Sequence, residues 1–193
     1  NGAGVGGGIY NEGTLVVSDS RFASNGAAYY GGGISNYPGG ILTVSNSTFA
    51  GNGADYIGGG IYNWEGALTV SNSTFSRNSA GGSNSGGGGI YNAQGTVTVR
   101  TSTFSSNTGG LLGGGILNTM GQLTVSNSTF FGNSIDYGGA GGGIYAAGTL
   151  VVSNSTFSGN SANEGGGIYA DGTLKNTIIA NSPTGGNCSG TIT

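Results

Sequence analysis

In the recurring phrase "LTVSNSTF", apolar and polar residues alternate for four positions and then the alternation fails. Its first residue is Leu15, Leu42, Leu68, Val97, Leu123 or Leu150, and a phenylalanine follows seven positions later, at Phe22, Phe49, Phe75, Phe104, Phe130 and Phe157. Side chains on a strand point alternately to opposite faces. An odd separation would therefore turn Phe away from the face that buries Leu. The chain must change phase between them, and the Ser-Asn pair (Ser71-Asn72 and its equivalents) is the natural corner. A second corner is expected at the asparagine three positions beyond Phe: Asn25, Asn52, Asn78, Asn107, Asn133, Asn160 and Asn181. In the last and shortest unit, Ile178 is assigned the place of Phe.

Upstream of each Leu lies another apolar position, the isoleucine of "GG-I": Ile9, Ile34, Ile61, Ile90, Ile116, Ile144 and Ile168. These give seven units of 24 to 29 residues, a period that belongs to solenoids. No apolar stripe recurs at a spacing of 3.6, and Gly with β-branched residues dominates, so helices are excluded. The predicted architecture is all-β: a parallel β-helix of about seven coils, with residues 1–193 forming one solenoid domain.

Stacking such coils pairs like with like at ~4.8 Å, which makes a rod ~34 Å tall. Ile, Leu, Val and Phe then form core columns, and the Asn residues at the corners can hydrogen-bond in amide ladders. Glycine serves where the coil turns or where backbones approach closely. The variable stretches between Asn and the next "GGG", such as residues 79–86, are loops bulging from one edge.

Composition narrows the function classes. Of 193 residues 46 are Gly, 6% are charged, none is His, and the net charge is −3. Four basic residues (Arg21, Arg77, Arg100, Lys175) cannot make the electrostatic footprint that nucleic acid requires. No run of 18 apolar residues is present, so membrane insertion by this segment is not expected. Poverty in His and Lys, with abundant Ser, Thr, Asn and Gly, leans toward an exported protein.

The phrases "GGGI" and "F-x-x-N" together resemble the repeats of bacterial polymorphic outer-membrane proteins, written GGA-I and FxxN in that family. The stretch "NTIIANSPTGGNCSGTIT" at 176–193 is similar to the tails of large bacterial β-helix surface proteins. This resemblance implies a right-handed coil, a bacterial exported origin, and a segment of a longer surface protein; the absence of a visible capping repeat, with the low charge, adds the expectation of a fibre subunit stacked end to end. It also implies that any partner of the single Cys188 lies outside this stretch; the alternative is a free thiol. The departure is Gly for Ala at Gly33, Gly60, Gly89 and Gly115, which bears on packing rather than chemistry.

Candidate chemistry is sparse. The seven acids (Glu12, Asp19, Asp55, Glu65, Asp136, Glu164, Asp171) fall at different phases of the repeat. Glu12 and Glu65 lie near each other in phase but two coils apart, ~10 Å at the stacking distance. A polysaccharide lyase or hydrolase needs clustered acids with a base or metal, so no catalytic residue, metal site or cofactor is expected. The Gly-Gly-x-Gly-x-Asp calcium pattern and the Gly-Lys-Ser/Thr of phosphate loops are both missing. Asn46, Asn72, Asn127 and Asn154 begin formal "NST" glycosylation acceptors, but the same residues are needed as corners.

Two outward columns remain. Tyr10, Tyr62, Tyr91, Tyr145 and Tyr169 follow five of the seven isoleucines and could stack on sugars, meet another subunit or shield one another. Thr43, Thr69, Thr98 and Thr124 form a flat hydroxyl array between Val16 and Val151, similar to those of ice-binding solenoids, though outward Thr also follows from β-propensity. The expected function is a non-enzymatic extracellular structural or adhesive solenoid, a surface stalk or an end-to-end stacked fibre. Its partners would be its own copies, end to end or laterally, a polysaccharide, or a host or cell surface. A polysaccharide-binding or -degrading β-helix is the alternative, and an ice-binding solenoid is the less favoured one.

Overall fold

A computed structural model describes residues 2–83 and 86–193; of the stretch 79–86 expected to be loop, Ser79–Ala80 is a strand and residues 84 and 85 lie outside the described residues. The chain winds into stacked coils in which every strand pairing among the described residues is parallel. Three sheets run along the stack. One holds the phenylalanine strands, from Arg21–Ala23 to Ile178–Ala180, seven in all. A second has six short strands, from Gly2–Val5 to Ser134–Ile135.

The third sheet combines the isoleucine strands, such as Ile61–Trp64, with the leucine strands, such as Ala67–Ser71. These remain separate stacks through the first five coils and fuse in Ile144–Ser153 and Ile168–Lys175. The reason is local. In the first five coils an asparagine two residues after Ile holds a turn, whereas Ala146 and Ala170 stand there in the last two. Without the amide to brace a corner, the strand runs through.

Phase breaks where the odd Leu-to-Phe spacing requires it. Asn46, Asn72, Asn127 and Asn154 adopt φ between 47° and 49°, in the left-handed region that Asn tolerates. The strand ends one residue earlier, at Ser45, Ser71, Ser126 or Ser153. Ile34, Ile61, Ile90, Ile116, Ile144 and Ile168 are fully buried, as are Phe49, Phe75, Phe104, Phe130 and Phe157. Ile9 and Phe22, in the first coil, pack against this core half-buried. The Phe rings form an unbroken stack with centroids 4.5–4.8 Å apart and planes within 6° of parallel. That spacing exceeds ring contact distance, so the rings are offset, the arrangement their quadrupoles favour.

Two assignments in the last coil are corrected by register. Ile179, not Ile178, lies opposite Phe157, and Ile178 is 63% exposed. Counting on from Ile179, Asn181 matches Gly159 and takes that position's left-handed φ of 55°. Ser182 therefore occupies the ladder position, and its buried Oγ has no partner. The unit is one residue out of step because nothing in "NTIIAN" distinguishes the two isoleucines by pattern.

The "GGG" phrase is a steric requirement. Gly58 has φ of 70°, and a Cβ on Gly59 would lie 2.3 Å from the Ser79 carbonyl oxygen. On Gly60 it would lie 2.4 Å from the Gly89 oxygen and 3.1 Å from Phe75 Cδ1. Glycine at the third place lets the next coil's backbone and the Phe stack close in together.

Candidate functional site

Three buried polar ladders make the rod a stiff support. In the first, Asn25, Asn52, Asn78, Asn107, Asn133 and Asn160 pass amide hydrogen bonds from Nδ2 to the next coil's Oδ1 at 2.9–3.0 Å. Each Oδ1 also accepts the preceding coil's Asn backbone N–H, at 3.0–3.1 Å. Asn181 is outside this ladder. Asn78 is buried but is not itself the turn: Arg77, just before it, carries the left-handed φ of 54°.

The second ladder did not emerge from sequence reasoning. Asn11, Asn36, Asn63, Asn92 and Asn118 lie two residues after Ile, and four consecutive amide bonds connect the first four to their successors or to one another at 2.6–2.8 Å. Its signal in the sequence is "I-x-N", present in five of the seven units. In the third, Ser47, Ser73, Ser102, Ser128 and Ser155 each present Oγ to the backbone N–H of the coil before; all but Ser102, which stands in "TST", are the Ser of "NST".

On this support the five tyrosines are not uniformly outward. Tyr62 is 7% exposed, covered by Tyr30 and Tyr37. Leu117, 3% exposed, interrupts the column between Tyr91 and Tyr145. Tyr91, Tyr145 and Tyr169 are half-buried, and Tyr10 is exposed.

What the fold assembles instead is one connected cluster of eight rings in the first four coils. Tyr29 stacks on Tyr56 at 5.8 Å and leans on Tyr30; Tyr30 stacks on Tyr62 at 5.0 Å; Tyr62 stacks on Tyr91 at 5.5 Å. Tyr37 joins Tyr62, Tyr10 and Trp64 at centroid distances of 4.8–5.7 Å. Tyr30, Tyr37 and Tyr56 lie in stretches that vary between units, so repeat alignment gave no reason to group them. Burial also separates the cluster into base and crest, with Tyr10, Tyr29, Tyr56 and Trp64 at the crest.

The crest is rimmed by carboxylates. Tyr10 donates its hydroxyl to Glu12, and chiefly for that reason its phenol is pushed up to about 12. Burial raises the Tyr37 and Tyr62 phenols. Glu65 sits on the adjoining turn at φ of 51°. The basic residues lie on other parts of the coil: Arg21 in a Phe strand, Arg77 at the corner behind Phe75, and Arg100 and Lys175 closing leucine strands.

Further along the same side, Tyr145 and Tyr169 stack at 5.1 Å, 4° from parallel. They border a hollow of about 370 Å³ that also touches Leu111, Leu112, Asn163 and Glu164. On the leucine strands, Val16, Thr43, Thr69, Thr98, Thr124 and Val151 are successive register partners with outward side chains. Cys188 is a free, exposed cysteine whose thiol is raised by partial burial. No group of three or more potential metal ligands occurs among the described residues, and no helix among them is long and apolar enough to cross a membrane.

With this geometry goes a family match: the right-handed beta helix region family covers residues 3–183. The chain belongs to the right-handed β-helix family. This fixes the hand of the solenoid, and its seven repeats account for the parallel sheets. Neither the curated proteins nor the solved structures gave a match. Right-handed β-helices include enzymes that degrade polysaccharides as well as proteins without catalytic activity, so function rests on the surface of this particular coil stack.

Proposed function

We propose that this right-handed β-helix is a non-enzymatic, extracellular structural and adhesive rod from a bacterial surface protein of the polymorphic outer-membrane repeat type. The observation that carries the reading is the eight-ring cluster. Four of its rings stand exposed on a surface whose backbone is braced by three polar ladders. Tyr and Trp give large, stiff contact area with few rotatable bonds, and contiguous exposed apolar area marks interaction sites. Ladder bracing fixes those rings before contact, which reduces the ordering cost of binding. Sparse charge leaves little long-range repulsion between the rod and a surface, or between copies joined into stalks or fibres.

The test measures adhesion and turnover together. Beads coated with the purified chain are expected to adhere to cell surfaces above uncoated beads. A polysaccharide panel incubated with the chain is expected to release neither reducing ends nor unsaturated sugars. Turnover abolished by Glu12→Gln or Glu65→Gln would overturn the non-enzymatic reading, and failure to adhere would overturn the adhesive one.

A further inference from the structure

We propose that the aromatic side of the rod is a track for an extended, uncharged polysaccharide whose pyranose rings lie along the solenoid axis. This rests on the adhesive reading above and names its partner. The first station is the crest of Tyr10, Tyr29, Tyr56 and Trp64. The second is the Tyr145–Tyr169 pair with its neighbouring hollow. The stations are joined by one register column, which runs from Tyr10 of the crest through Ser35, Tyr62, Tyr91 and Leu117 to Tyr145 and Tyr169. From Tyr10 in the first coil to Tyr169 in the seventh is six coil steps, ~29 Å at the strand spacing. A monosaccharide could meet one station; a polymer of ring-sized units can meet both.

The chemistry selects sugar, and uncharged sugar. Aromatic faces receive the C–H face of a pyranose, while carboxylates and amides at the edge accept from and donate to its hydroxyls. Glu12 stands at the first station, and Glu164 and Asn163 at the second. Every base in the chain is on another part of the coil. A polyuronate or nucleic acid would bring anions to a carboxylate rim with no cation to meet them. A second copy docked through the same side would oppose its own carboxylates.

Trp64 is the only tryptophan and stands in the first station, so its fluorescence reports directly on occupancy. The experiment titrates the 193-residue chain with β-1,4- and β-1,3-linked gluco-oligosaccharides and with xylo-oligosaccharides, disaccharide to octasaccharide. For the series that binds, affinity is expected to improve at least about tenfold across that range as the second station engages. Tyr145→Ser with Tyr169→Ser is expected to remove that gain and leave disaccharide binding intact. Tyr29→Ser with Tyr56→Ser, at exposed positions, is expected to weaken every length with an unchanged circular dichroism spectrum.

Absence of any response while coated beads still adhere would overturn the sugar assignment and leave adhesion standing. Absence of both would remove the adhesive reading as well. Binding that ignores chain length would overturn the track. Tighter binding of polygalacturonate or of a proline-rich peptide would overturn the uncharged-sugar partner.

Discussion

Asn78 shows how much one side chain can brace. Its Oδ1 accepts from the Asn52 backbone N–H and Nδ2, and its own Nδ2 donates to the Phe49 carbonyl and to Asn107. Asn78→Ala would strand several of these groups inside a dry wall, where each buried unsatisfied group costs about 1–3 kcal/mol. A loss of about 3 kcal/mol or more is expected by denaturant unfolding. Asn25→Ala, at the half-buried start of the same ladder, should cost roughly 1 kcal/mol. Equal costs would mean the ladder does not act through burial.

Tyr62 gives a pH signature. Burial raises its phenol above the ordinary 10.0, so the folded chain favours the neutral form. The stability this supplies is complete below pH 10 and is lost as pH rises beyond it, because the unfolded chain ionises first. Tyr62→Phe is therefore expected to flatten the fall in melting temperature above about pH 10. An unchanged alkaline slope in the variant would assign that fall to other groups. At this scale the two Asn ladders differed in legibility: one stood beside an obvious Phe, whereas "I-x-N" was read only for the residue between.

Corners and close approaches decide the elements. Gly60→Ala would drive a Cβ into the Gly89 oxygen and against the Phe75 ring, and should cost more than about 2 kcal/mol in thermal unfolding. Gly13→Ala, with nothing within 4 Å of the added atom, should change stability by less than about 0.5 kcal/mol. Comparable losses at both sites would show that glycine is not placed for packing.

The elements were largely readable because the odd Leu-to-Phe spacing admits only a broken strand, and Asn72 at φ of 47° is that break. The fused Ile144–Ser153 strand was less so. Its cause, Ala146 in place of a ladder asparagine, becomes visible only once the ladder is known. The Ile178 misplacement has the same character, since a pair of adjacent isoleucines carries no phase of its own.

Across the whole molecule, strict register turns small per-coil preferences into continuous structures. The Phe stack passes unbroken through six coils, the first Asn ladder likewise, and each coil contacts its neighbours in sequence, as in other solenoids. The aromatic surface breaks that regularity. Tyr29, Tyr30, Tyr37, Tyr56 and Trp64 come from the variable parts of the units, and only winding the chain brings them onto the regular Tyr62 and Tyr91. Repeats therefore revealed the rod, whereas the surface that distinguishes it lies where the repeats differ.

Adhesion through the aromatic side is tested by a paired comparison of coated beads. Tyr29→Ser with Tyr56→Ser changes the crest; Thr69→Ala with Thr98→Ala changes the leucine-strand face and leaves the crest intact. Adhesion of folded variants is expected to fall at least about tenfold for the first pair, a change of about 1.4 kcal/mol, and to stay near the unmodified level for the second. Equal adhesion by both pairs, or loss confined to the threonine pair, would show that adhesion does not reside on the aromatic side.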